Sequence, residues 1–281
     1  MGSRGLAGAH REAGVEMNKR MRLARLLLRL GAFIQSLPVV VMRPDDLVEF
    51  SRQSYARPDD VEAWAEDDIV DAGLTAEELD LLSAVPATAG NLLLLGVGGG
   101  REAIPLARLG FRVTGVDYVP AMVGKARENA ARRGLSIEGL VQEISLLDVP
   151  AGAYDVIWLS REMYSCVPTR RRRVAMARRI ARAMKPDGLF LCQFHWRAAP
   201  RALGKGGGAR RAIAACTLGN LAYEPGDKLW LNVEFVHEFA SEDTLRSELE
   251  EGGLSVVWIK TDQTPRGRAV CRKRPDAGQN I

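Results

Sequence analysis

Three glycines at alternate positions, Gly96, Gly98 and Gly100, follow the apolar run 92–95, and Asp117 closes the segment they begin. Glycine at the carboxyl end of a buried strand lets the chain turn sharply and lets a ligand approach the backbone. A helix starting near Arg101 points its free N–H groups into the same crevice. A carboxylate at the end of the following strand can accept hydrogen bonds from both hydroxyls of a ribose. This chemistry is capture of a nucleoside, and the loop alone does not say which one. The phosphate loop G-x-x-x-x-G-K-[ST] is absent, which argues against a nucleoside triphosphatase. The dinucleotide spacing G-x-G-x-x-G matches poorly. Counted from Gly96 and Gly98 its third glycine falls on Arg101, and counted from Gly98 and Gly100 it falls on Ala103.

The elements that must position these residues follow from periodicity. Strands are predicted over 92–95, 112–116, 137–141, 154–159 and 189–194. Helices are predicted between them over about 101–109, 120–133 and 171–184. Strict alternation of strand and helix requires a parallel, doubly wound sheet with right-handed crossovers. Further on, 212–223 is apolar and 229–239 alternates like a strand. Residues 241–251 read as a helix with Ser241 as N-cap and Glu242 and Asp243 in its first turn. Runs 254–259 and 268–272, separated by turn residues, read as a closing antiparallel pair.

Upstream, Leu23, Leu26, Leu27, Leu30 and Ile34 share one helical face and Arg22, Arg25 and Arg29 the other. Such a basic amphipathic helix over 22–34 either docks on the domain or meets a membrane surface. A second helix opens at Pro44, with Asp45 as its expected N-cap. The polar stretch 51–64 reads as a connection or lid. Thr75 and Glu78 form a capping box for a helix reaching about residue 84. Residues 1–85 are thus expected to be a disordered tail, up to about residue 17, followed by a helical extension. Residues 86–281 are expected to be one domain with an insertion at about 195–239. The last residues are expected to fray.

The chain has 281 residues, 47% of them apolar, and a net charge of +4, which excludes a disordered chain and allows a sizeable core. Its longest uncharged run near the start, 30–42, has 13 residues and contains Pro38, too short to cross a bilayer. Cys166, Cys192, Cys216 and Cys271 lack ligand spacing and read as thiols of a reducing cytoplasm. His10, His195 and His237 are too dispersed to suggest a metal, so none is expected.

Four segments in order and at matching spacing resemble the class I S-adenosylmethionine-dependent methyltransferases. "LLLLGVGGGREA" resembles the family's glycine motif and "VTGVD" its ribose-binding acid, Asp117. "GAYDVIWLS" resembles the fourth-strand motif, and "ARAMKPDGLFLCQF" the helix, turn and fifth strand. A weaker likeness continues through "HEFASEDTLRSELEEGGLSVV". The resemblance implies an α/β, doubly wound, seven-stranded Rossmann-like sheet, mostly parallel with an antiparallel last strand, carrying an N-terminal helical extension. It implies S-adenosylmethionine as cofactor, held by Gly96, Val97, Gly98, Gly100, Asp117, Tyr118 and Ser160. Glu143 and Ile144 are the nearest candidates for the adenine contacts. Leu94 stands where the family often has an acid.

Methyl transfer from a sulfonium is an in-line displacement that needs positioning and, for a protonated nucleophile, a base. Tyr164, after the fourth strand, His195, after the fifth, and His237 are the candidates for that role, and Glu162 could orient a nucleophile. Tyr55, Trp64 and Tyr223 are candidate pocket walls. Between Arg170 and Arg211 there are thirteen Lys/Arg and one acid, Asp187. That surface suits nucleic acid, but 170–182 also fits the solvent face of an amphipathic helix. A small-molecule acceptor is therefore expected ahead of RNA or protein. An NAD-type oxidoreductase and a nucleoside binder without catalysis are the competing readings.

Overall fold

The computed structural model describes residues 18–86, 89–197, 207–261 and 264–275. The expected disordered tail and the fraying last residues lie outside them. The chain divides after Leu37 into two compact units.

The first unit holds helix α1 (Lys19–Gln35), which begins where Asn18 Oδ1 accepts the Arg20 N–H at 3.1 Å and buries none of its side chains. The helical run Lys19–Val41 is long and apolar enough to cross a membrane by length and composition. The count of 13 uncharged residues missed this, because a helix continues through Arg25 and Arg29.

The second unit opens with α2 (Pro38–Val41), α3 (Pro44–Tyr55), α4 (Pro58–Ala65), α5 (Asp67–Asp71) and α6 (Ala76–Leu82). The N-cap of α3 is Arg43, not Asp45. Asp45 sits in the first turn, and Asp46 accepts the Arg43 N–H at 2.9 Å. The stretch 51–64 is not a connection but the end of α3 and most of α4. Pro58 at the first position starts α4, and Val61 and Ala65 bury its inner face. The capping box of α6 forms as expected, with Thr75 N–H donating to Glu78 at 2.7 Å.

Then come β1 (Gly90–Leu95), α7 (Ala103–Arg108), β2 (Phe111–Asp117), α8 (Pro120–Arg132), β3 (Glu138–Val141), β4 (Tyr154–Leu159), α9 (Arg170–Ala183) and β5 (Met184–His195). The chain closes with α10 (Gly207–Thr217), β6 (Asp227–Trp230), β7 (Glu234–His237), α11 (Glu242–Glu251), β8 (Leu254–Thr261) and β9 (Arg266–Lys273). The strand order is β3-β2-β1-β4-β5-β9-β8, and β9 runs antiparallel to both neighbours. The seven-stranded sheet with its antiparallel last strand is therefore as expected. Both faces are covered, so strand residues alternate between two cores. Leu93, Leu95, Ile157 and Phe190 enter one, and Leu92, Leu94, Trp158 and Leu191 enter the other. The run 229–239 is a hairpin of β6 and β7 rather than one strand. Leu231 and Asn232 turn it, both with positive φ (49° and 59°).

Candidate functional site

The strand order reverses between β1 and β4, and the crevice beyond their carboxyl ends is where such sheets bind ligands. A cavity of about 630 Å³ opens there. Its floor is the glycine loop. Gly96 and Val97 donate their N–H groups to the Val116 carbonyl at 2.8 and 2.9 Å, which folds the loop back onto β2. Gly98 has φ +49°, and a Cβ built on it meets nothing within 4 Å, so the backbone there faces open space. Gly99 is needed for another reason: its Cβ would lie 2.1 Å from the Trp64 carbonyl oxygen at the end of α4. Asn129 of α8, buried, locks that approach by donating to the Gly99 and Ala65 carbonyls at 2.9 and 3.2 Å. Gly100 faces Ala126 of α8 and does not line the cavity.

Asp117 ends β2 on the cavity wall, its carboxylate accepting the Gly98 N–H at 3.1 Å and the Val119 N–H at 3.0 Å. Burial pushes its carboxyl above the usual range, against those backbone hydrogen bonds. A nearly buried carboxylate, fixed only by backbone amides beside open glycine backbone, fits the hydroxyls of a nucleoside ribose. Tyr118 and Ser160 line the same cavity. Glu143 and Ile144 line a smaller pocket that shares Gly96, Asp117 and Tyr118 with it. Glu143 is paired there with Arg172 at 2.8 Å.

Leu94 is fully buried in the core and contributes nothing polar. A buried carboxylate reaches the cavity instead from Glu102, at the start of α7, which sequence reasoning missed. Ser160 Oγ donates to it at 2.5 Å and Arg101 Nη2 lies at the same distance. Burial raises its carboxyl pKa. Arg101 fills the place of a third dinucleotide glycine. It is itself buried, donating to both carboxylate oxygens of Glu78 at 2.8 and 2.6 Å and to the Gly73 carbonyl at 2.6 Å.

The far wall of the cavity comes from α3, α4, the segment after β4, the end of β5 and the β6–β7 hairpin. Tyr55, Trp64, Glu162, His195, Trp230 and Glu234 line it. His195 stands 5.4 Å from the Trp230 ring, and burial, with Lys228 and Arg266 nearby, lowers its pKa to about 4. Glu162 is paired with Arg266 at 2.9 Å. Glu234, also missed, accepts the Tyr55 hydroxyl at 3.1 Å, and burial raises its carboxyl pKa. Arg161, with φ +43°, lies over the Trp64 ring at 5.5 Å. Strained backbone of this kind gathers at functional sites.

Two of the three catalytic candidates lie elsewhere. Tyr164 is fully buried behind the cavity, its hydroxyl donating to Glu248 of α11 at 3.4 Å. His237 is buried with Nδ1 2.8 Å from Asp227 and its ring edge-on to Phe239. Glu224, Asp227 and His237 bring ligand-type atoms within 4.8 Å of one another. Glu224 is already occupied by Arg173 and by the Arg170 N–H, at 3.0 and 2.8 Å. Tyr223 packs instead against the core of α2 and beneath Arg210.

Residues 92–188 match the family described as a methyltransferase domain. A 23S rRNA (uracil(1939)-C(5))-methyltransferase RlmD of Shewanella sp. strain MR-7 is 45% identical over 67 residues, 24% of this chain and 14% of that protein. A ubiquinone biosynthesis O-methyltransferase of Methylobacterium nodulans is 35% identical over 106 residues, 38% of this chain and 41% of that protein. The chain thus spans less than half the length of these curated relatives. The crystal structure of an S-adenosylmethionine-dependent methyltransferase from Methanosarcina mazei superposes with a TM-score of 0.56 at 17% identity, covering 73% of this chain and all of that one.

Proposed function

We propose that this member of the class I S-adenosylmethionine-dependent methyltransferases transfers the methyl group to a small organic acceptor held in the cavity of the second unit. One observation carries the reading. One cavity holds both the glycine loop with Asp117 and a far wall that carries Tyr55, Trp64 and Trp230, so it has room for an acceptor beside the cofactor. Asp117 would hold the ribose, with Gly96, Val97 and Gly98 giving the cofactor close approach to backbone. The bound cofactor supplies the electrophilic methyl. The chain's own residues orient the acceptor, exclude water and accept any proton it releases.

RNA is the weaker reading. The arginines of α9 that would meet phosphates are largely matched by acids of the chain itself. Arg170 pairs with Glu251 at 2.6 Å, Arg172 with Glu143 at 2.8 Å, Arg173 with Glu248 at 2.8 Å and Arg182 with Asp148 at 3.0 Å. Hydride transfer from a nicotinamide is disfavoured by Arg101, whose buried ion pair occupies the third-glycine position. Calorimetric titration with S-adenosylmethionine and S-adenosylhomocysteine, with NADH as control, tests the cofactor. Binding of the first two alone is expected, and binding of NADH alone overturns the reading. Turnover on RNA but not on any small acceptor overturns the acceptor class.

A further inference from the structure

We propose that α1 binds the surface of an anionic lipid bilayer, lying in the plane of its headgroups. The residues that line the cavity include none of this helix. None of its 17 residues is buried. Leu23, Leu26, Leu27, Leu30 and Ile34, each 51–62% exposed, fall on one helical face. Arg22, Arg25 and Arg29 fall on another, Lys19 and Arg20 add two more cations, and the helix contains no acid.

Water suits such a helix badly on three counts. A contiguous apolar face is left exposed. Most of a helix's stability in a protein comes from packing its apolar face, which α1 leaves in water. Arg22, Arg25 and Arg29 stand three and four residues apart, where like charges repel. The arginines of α9 answer the same problem with acids from neighbouring elements, whereas α1 carries no acid of its own with which to do so. An anionic bilayer relieves all three conditions: its acyl boundary takes the leucines and its headgroups take the cations.

Other occupants match less of this. Crossing the bilayer would need the run Lys19–Val41. Val39 and Val40, however, are fully buried in the second unit, where Asn220 donates to both their carbonyls at 3.3 and 2.8 Å. The helix left over is about 26 Å long, shorter than the hydrocarbon core, and carries five cations within residues 19–29. Pairing with α1 of a second copy would bring up more cations and no acid to meet them. A nucleic acid would take the arginines and leave the leucines in water.

Co-sedimentation of the full chain with vesicles tests the proposal. Phosphatidylcholine mixed with phosphatidylglycerol is expected to bind the protein, phosphatidylcholine alone is not, and raised salt is expected to release it. Arg22→Gln/Arg25→Gln/Arg29→Gln is expected to weaken the partition roughly a hundredfold, and Leu26→Gln/Leu30→Gln to abolish it. Urea unfolding of the second unit is expected to be the same in both variants, so that loss of binding is not loss of fold. Equal binding to both vesicle types, resistance to alkaline carbonate, or binding unchanged in both variants would overturn the proposal. So would failure to bind vesicles together with self-association that Leu26→Gln/Leu30→Gln removes.

Discussion

Glu234 and His195 face one cavity from different elements, and burial moves their proton affinities in opposite directions. Of the other carboxylates on that cavity, Glu102 has Arg101, Glu162 has Arg266, Asp117 is held by backbone amides, and Glu77 is held below its usual range by its own backbone N–H, with Arg268 and Arg266 nearby. Among the described residues Glu234 accepts the Tyr55 hydroxyl at 3.1 Å and pairs with no cation. A carboxylate with raised proton affinity and no cation is suited to take a proton from an acceptor hydroxyl. Glu234→Gln keeps the Tyr55 hydrogen bond and removes that capacity. Methyl transfer to a hydroxyl acceptor is expected to fall about 100-fold with S-adenosylmethionine affinity unchanged, read by turnover beside calorimetry. An unaltered rate would remove Glu234 from the chemistry. His195 gives a stability prediction. Its folded pKa, about 4, lies below the 6.5 expected of the unfolded chain. Between those values the unfolded state binds the extra proton, so stability is lost as pH falls from 6.5 towards 4 and is unaffected above 6.5. Urea unfolding across that range is expected to show a slope that His195→Gln flattens.

The glycine loop is shaped by elements outside the sheet, and the Arg101–Glu78 pair is the clearest case. It joins the start of α7 to the capping box of α6, with both side chains nearly buried. Removing one partner of a buried pair leaves an uncompensated charge, so Glu78→Ala is expected to cost about 3–5 kcal/mol. It should also weaken cofactor binding, because Arg101 directly precedes Glu102, which lines the cavity. Equilibrium unfolding and calorimetry on one preparation read both effects, and a stable variant would mean that the pair is solvated. The sheet was legible because each buried strand is a short apolar run between turn residues, and the crevice was legible from Gly98 and Asp117. The cover was not. The end of α3 and helix α4 read as a connection or lid because their polar faces dominate 51–64, and the local ion pairs Arg52–Glu49 and Arg57–Asp60 are invisible to apolar periodicity. The β6–β7 turn was missed because it uses Leu231 and Asn232 in left-handed conformations where glycine is the usual signal. Glu234 was therefore assigned to a strand interior and passed over.

Across the whole molecule, the net charge of +4 hides two different arrangements. In the second unit arginines are largely matched by acids, and in α1 five cations stand in a helix that holds no acid. The boundary between the units can be tested by shortening the chain. Val39 and Val40 belong to a core with Leu47, Ala214 and Phe235, and Gly219 approaches so closely that a Cβ there would lie 2.3 Å from the Val40 carbonyl oxygen. Helix α2 is thus part of the cooperative body, although it directly follows the exposed helix. A chain of residues 38–281 is expected to unfold at the same urea midpoint as the full chain and to bind S-adenosylmethionine equally well. A chain of residues 44–281 lacks both valines. Each contributes up to about 2 kcal/mol of burial, which together is a large share of the 5–15 kcal/mol typical of a folded domain. Its midpoint is expected to fall steeply, and the Tyr55–Glu234 side of the cavity, which rests on α3, is expected to loosen with it. If 38–281 were destabilised as much as 44–281, α1 would belong to the same cooperative body, and its exposed leucines would be covered from within the chain rather than by a lipid surface.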